Sequence, residues 1–269
     1  MPRIAVGVEY DGLGLSGWQS QRDLPTVQDS VERALSRVAD APLSVVGAGR
    51  TDAGVHARAQ VAHFDTEAGR TARGWVLGAN STLPAGIALR WATEVPEHFH
   101  ARYSALSRSY RYVILNRGTR PGLAAGRVAF VYRPLDLAPM QEAGRVLLGE
   151  HDFSAFRASE CQAKSPVRRL LDLRLKRVGE FVCLEVRANA FLQHMVRNIA
   201  GMLISIGQGD HAPAWAAEVL ASRDRRANAA TAPAGGLYFW AVQYPPGFGL
   251  PDDSDMMRGP SGCPGDLMG

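Results

Sequence analysis

The sequence predicts an α+β fold of two antiparallel-sheet halves with an active-site cleft between them. Residues 3–94 alternate period-two and helix-period hydrophobic stretches in the order strand, helix, strand, strand, helix, strand. That is the order of a ferredoxin-like unit. Residues 109–244 repeat the order more loosely, and a cleft between two such sheets is a usual place for a ligand. At 269 residues, 46% hydrophobic and 21% charged, the chain has the mass for two modest cores. The first half is expected over 1–105 and the second over 106–248. The Gly-, Pro-, Asp- and Met-rich stretch 249–269 has no periodicity and is expected to be a disordered tail.

The elements follow in order. Ile4, Val6, Val8 and Tyr10 alternate as a half-buried strand, and Asp11 to Gly17 is a glycine-rich loop. Pro25-Thr26-Val27-Gln28-Asp29 opens a helix with a capping box, and Val27, Val31, Ala34, Leu35 and Val38 give it one apolar face. Strands are expected at Leu43–Val46 and Gln60–Thr66, a helix over Ala72–Asn80 and a strand over Ile87–Glu94. In the second half, Ser109–Leu115 reads as a strand and Leu137–Leu148 as a helix. Leu170–Arg177 and Phe181–Asn189 form a hairpin turned at Gly179. The helix Gln193–Ile206 buries Met195, Ile199, Met202, Leu203 and Ile206. His194, Arg197, Asn198 and Gly201 fall on its opposite face, free to line the cleft. Tyr238–Tyr244 closes the second half as a strand.

Composition excludes several classes. No apolar run approaches the roughly 18 residues of a membrane helix, and the N-terminus enters a strand without a signal-peptide layout. Cys161, Cys183 and Cys263 are odd in number and far apart, which argues against a disulfide framework or a zinc knuckle. A cytoplasmic, reduced protein without metal is expected. The formal net charge is +4, and all but Lys164 and Lys176 of the 30 basic residues are arginine. Arginines cluster at 102–120, 168–177 and 223–226. They form either a solvated surface or a phosphate-binding face, since a guanidinium pairs bidentately with phosphate.

Chemistry concentrates in Gly47-Ala48-Gly49-Arg50-Thr51-Asp52-Ala53-Gly54-Val55-His56. Three glycines in eight residues mark backbone that turns sharply or is closely approached. Arg50 lies two residues from Asp52, and a nearby cation favours an ionised carboxylate, suited to attack or charge stabilisation. No Gly-Lys-Ser/Thr follows, so this is not a Walker A loop.

Gly49 to His56, with Gln60 and His63-Phe64, resembles the active-site motif of the TruA-type pseudouridine synthases. The likeness continues in order through Gly7 to Gly12, Gly17-Trp18-Gln19, Phe99 to Ala105, Tyr110-Arg111-Tyr112, Leu148 to Phe153, Ala190 to Asn198 and Gly236-Leu237-Tyr238. It runs from about residue 3 to 246. It implies two ferredoxin-like halves and a homodimeric enzyme that isomerises uridine at positions 38 to 40 of the tRNA anticodon stem-loop, without cofactor or metal. By the same resemblance Asp52 is the essential carboxylate, paired by Arg50. Tyr110 stacks on the target base, and Arg197 is the basic residue of the site. Arg50 and Arg70 would assist base flipping. Phe99, His100, Ala101, Arg102 and Tyr103 would contact RNA, as would a mobile loop of Glu160, Cys161, Gln162, Ala163 and Lys164. Attack by Asp52 on the sugar, attack on the base and abstraction of a sugar proton all remain open at this point.

Two other classes have some support in the residues. His63, Asp65, His98 and His100 raise a metal-dependent hydrolase, though no second cluster has the spacing of a known site. A tRNA-binding module without catalysis would tolerate loss of Asp52, and the intact set Arg50, Asp52 and Tyr110 argues against it.

Overall fold

The computed structural model describes residues 1–251, and the remainder of the expected tail, 252–269, lies outside the described residues. The protein is α+β. Its chain groups into two compact units, one of residues 1–106 with the segment from Tyr238 onward, the other of Ser107–Leu237.

The first unit contains β1 (Arg3–Tyr10), α1 (Val27–Ala39), β2 (Val46–Gly47), β3 (His56–Asp65), α2 (Ala72–Asn80) and β4 (Ile87–Val95). β1 lies between β3 and β4, antiparallel to both. β2 pairs antiparallel with the far end of β3. Thr26 caps α1 as the capping box predicts, accepting from the Asp29 N–H. Leu43 to Val45, expected to be strand, are not. The Leu43 N–H goes to Ser36 Oγ and the Val45 N–H to Glu32 Oε1, so side chains of α1 satisfy backbone that a neighbouring strand would otherwise pair. Trp75 of α2, only 1% exposed, meets Phe64 of β3 edge to face at 5.1 Å and anchors the helix on the sheet.

The second unit contains β5 (Ser107–Asn116), β6 (Ala129–Val131), α3 (Leu137–Val146), β7 (Gly149–Asp152), β8 (Val167–Val178), β9 (Phe181–Ala188), α4 (Met195–Gly207) and α5 (Trp215–Ser222). Its antiparallel sheet runs β5, β9, β8, β7, and β6 pairs parallel with β5. The β8–β9 turn carries Gly179 at φ 54, as the sequence suggested. α5 has no clear apolar stripe and is not predicted from the sequence.

Two expectations change here. The last strand, β10 (Leu237–Gln243), pairs parallel with the start of β3, Tyr238 opposite His56, and from Tyr238 it groups with the first unit. Its alternating apolar pattern defines a strand without saying which sheet receives it. The polar stripe of α4, expected to be free to line the cleft, is enclosed at Asn198 and Gly201. Asn198 is wholly buried, donating to the Phe156 carbonyl at 2.7 Å and accepting from Thr231 Oγ1 at 2.7 Å. A Cβ on Gly201 would sit 2.1 Å from the Ala230 carbonyl oxygen. Segment 228–232 therefore packs over that face. Among the described residues no helix is long and apolar enough to cross a membrane.

Trp75→Ala should cost about 3–5 kcal/mol through lost burial and the cavity left behind, read from urea unfolding. His63 of β3 is buried, and burial first, then Arg3 and His100, lower its pKa from 6.5 to about 4, against a smaller opposing pull from Asp65. It therefore stays neutral in the fold while the unfolded chain takes up a proton as pH drops below 6.5. Stability should fall on acidification from 6.5 towards 4 and then level, and His63→Asn should flatten that slope in a urea-midpoint series against pH.

Candidate active site

The Asp52 loop is fixed from two directions. The Trp18 N–H donates to the Thr51 carbonyl at 3.1 Å, and the Gly54 N–H to the Leu15 carbonyl at 3.2 Å. Gly12 donates its N–H to His56 Nδ1 at 3.0 Å, and the buried Tyr10 hydroxyl bonds Thr51 Oγ1 at 2.8 Å. From the other side Gln60, wholly buried, donates to the Gly49 carbonyl at 2.7 Å. The loop closes on itself through the Val55 N–H and the Asp52 carbonyl, 3.1 Å apart. The outcome is a half-exposed Asp52 side chain on a loop held at Gly49, Thr51 and Gly54.

The glycines serve this packing. Gly17 has φ 88, and a Cβ there would stand 2.4 Å from the Thr51 carbonyl oxygen. One on Gly12 would stand 2.1 Å from that of Val55. At Gly47 the close approach comes from the Trp18 indole, 2.7 Å from a Cβ position, so that glycine makes room for the protein's own core. Arg50 is exposed, and among the described residues no hydrogen bond or ion pair joins it to Asp52. The pairing expected from their closeness in sequence is therefore not formed by a direct contact.

Arg70 is exposed in the loop before α2, with Nε on the Val38 carbonyl at 3.0 Å. Phe99 to Tyr103 divide by burial. Phe99 and Ala101 have no exposed surface, so the expected RNA contact of those two side chains is not available. Ala101 donates its N–H to His63 Nδ1 at 3.2 Å and accepts from the Tyr244 hydroxyl at 2.6 Å. Arg3, bidentate on Asp65, also binds the Glu97 and Phe99 carbonyls at 2.6 and 2.7 Å. This anchoring presents Arg102 and Tyr103 outward. Tyr103 is 76% exposed, with His100 against its ring at 4.3 Å and the Arg102 guanidinium 5.7 Å from its centroid. His63 and His100 both use Nδ1 to hold this segment. Among the described residues no three His, Cys, Asp or Glu side chains gather as metal ligands.

In the second unit Tyr110 lies on β5 opposite Val186, 8% exposed, with Phe191 edge-on at 5.0 Å. Arg197, on the first turn of α4, donates Nε to the Ala232 carbonyl at 2.9 Å. Its charge also reaches Tyr112, whose phenol is pushed up by burial and pulled down by Arg197. His194 precedes α4 in the left-handed conformation, φ 63, which starts the helix later than its hydrophobic spacing suggests. In the loop 160–164, Glu160, Gln162 and Lys164 are exposed and Cys161 is buried. Burial raises the Cys161 thiol, but bonds from the Ala163 and Gln193 backbone and the charge of Arg157 leave it below its ordinary pKa. The sequence places Asn198 on the polar face of this helix but gives no sign of Thr231, whose bond to Asn198 ties α4 to the segment after α5.

The family described as tRNA pseudouridine synthase matches residues 7–104 and 143–245. The tRNA pseudouridine synthase A of Methylococcus capsulatus is 55% identical over 252 residues, 94% of this chain and 93% of that protein. Its namesakes in Legionella pneumophila (strain Lens) and Nitrosococcus oceani are each 55% identical, covering 92% and 93% of this chain and 95% and 96% of their own.

The Gly17 contact yields a test independent of any activity. Gly17→Ala should destabilise by about 1–3 kcal/mol from the left-handed backbone alone, and more from the clash with Thr51. Hydrogen exchange at residues 51–55 should accelerate beyond the global change.

Proposed function

The chain belongs to the tRNA pseudouridine synthase family, and on that premise we propose that it isomerises uridine to pseudouridine at nucleotides 38 to 40 of the tRNA anticodon stem-loop, with Asp52 as the essential carboxylate. The observation that supports this reading most is the Asp52 loop, a half-exposed carboxylate on backbone fixed by Trp18, Gly54, Tyr10 and Gln60. Pre-set placement of charge is what a site needs to stabilise a transition state without reorganising.

The reaction breaks the N1–C1′ bond, turns the uracil and joins C5 to C1′. C5 loses a proton and N1 gains one, so the balance calls for no water and no redox partner. In this reading Asp52 acts at the sugar as nucleophile or electrostatic partner. Tyr110 is the aromatic residue that stacks on the base and moves a proton, and Arg197 is the basic residue. A paired uridine must first leave its stack, at a cost of a few kcal/mol. Arg50 and Arg70, both exposed, assist that step. Arg102 and Tyr103 supply a cation and a stacking face for the opened RNA, with His100 beside them. The exposed residues of the loop 160–164 complete the RNA contacts. By the same reading the enzyme is a cytoplasmic homodimer that uses no metal or cofactor.

The test is to incubate unmodified tRNA with wild type and with Asp52→Ala, in EDTA, and map pseudouridine. Wild type should modify the anticodon arm, and Asp52→Ala should lose at least about 10²–10³-fold in rate while still binding tRNA. A variant as fast as wild type would sink the assignment of Asp52. A wild type that binds tRNA and forms no pseudouridine would leave the binding module without catalysis.

A further inference from the structure

The second unit holds a depression of ≈ 530 Å³ lined by Arg157, Glu160, His194, Arg225, Arg226 and Thr231, among others. Three guanidiniums face one carboxylate there, and what each guanidinium holds differs. Arg226 is bidentate on Asp224, with bonds of 2.8 and 3.1 Å, so its charge already has a partner. Arg157 Nη2 donates to the carbonyls of Cys161 and Ala163, and Arg225 donates to the Ala229 carbonyl and Thr231 Oγ1, each at 2.9 Å. Neutral oxygens hold a guanidinium in place without cancelling its charge. Among the described residues neither Arg157 nor Arg225 forms an ion pair, and Arg157 Nε and Nη1 and Arg225 Nε make no hydrogen bond.

Burial lowers the pKa of Arg225, and burial lowers that of Arg168, with an opposing pull from Cys161 and a smaller push from the charge of Arg157. Arg168 donates Nη1 to the Ser165 and Val167 carbonyls, and its buried Nε has no partner. Positive charge here outnumbers negative, and Arg157 and Arg225 are held by neutral oxygens with no carboxylate on either. The donors come from two segments, Arg157 after β7 and Arg225 after α5, and both line the same depression. The planar fork of a guanidinium matches phosphate oxygens bidentately.

We infer that Arg157 and Arg225 form a seat for one phosphodiester of the tRNA backbone. The inference rests on the tRNA reading above for the source of the phosphate. Arg157 already grips the carbonyls of Cys161 and Ala163, so one side chain joins the seat to the 160–164 loop.

The test is a salt series of unmodified-tRNA binding for wild type, Arg157→Gln, Arg225→Gln and Arg225→Lys, with thermal melting of each in the presence of inorganic phosphate. Each Gln variant should bind about tenfold more weakly at low salt, with the slope of log K against log salt smaller by about 1. Arg225→Lys should keep the wild-type slope, because a phosphate contact follows charge. Weaker binding at an unchanged slope would overturn the inference in favour of a structural role, as would wild-type binding by both Gln variants. Phosphate raising the melting temperature of wild type alone, with tRNA slopes unchanged, would overturn it in favour of a free anion. A wild type that binds no tRNA would instead bring down the functional reading itself, visible before any variant is compared.

Discussion

Backbone lying against backbone is the constraint on which the candidate site depends. Residues 12–18 rest on residues 51–55 with no Cβ between them at Gly12 or Gly17, and the bonds from Trp18 to Thr51 and from Gly54 to Leu15 need that proximity. Each bond is worth only about 0.5–1.5 kcal/mol net. Together they remove the freedom a glycine-rich loop would otherwise have. A carboxylate meant to meet developing charge cannot sit on a loop that wanders, so stiffness here is chemical as much as structural.

Local spacing made much of the fold legible. The Thr26 capping box, the stripe of α1, the Ala72–Asn80 helix and the Gly179 turn all follow from residues within one turn of each other. What escaped depends on partners far along the chain. Leu43 to Val45 have strand composition, yet their amides belong to Ser36 and Glu32. Asn198 lies on a stripe that looks polar until Thr231 and Phe156 enclose it. The Asp52 loop stood out through its glycines and charges, but the glycines admit Trp18 and backbone. The expected Arg50–Asp52 pair rested on closeness in sequence alone, and Arg50 is instead exposed.

A net charge of +4 says little about where positive potential accumulates. Arg3, Arg111, Arg117 and Arg133 are each spent on a carboxylate, from Asp65, Glu185, Glu180 and Asp210. Arg157, Arg168, Arg177 and Arg225 instead donate to carbonyls, an amide or a hydroxyl, all uncharged. The two groups are equal in composition and opposite in effect. The first staples strands and loops, whereas the second leaves charge for a polyanion to find.

The short β2 has a bearing on survival in a crowded cell. An edge strand with open amides is a template on which another chain can add itself. Here the stretch before β2 has handed its Leu43 and Val45 amides to a helix, and only Val46 and Gly47 remain in ladder form. The side chains that shorten this strand therefore also deny a foothold to aggregation.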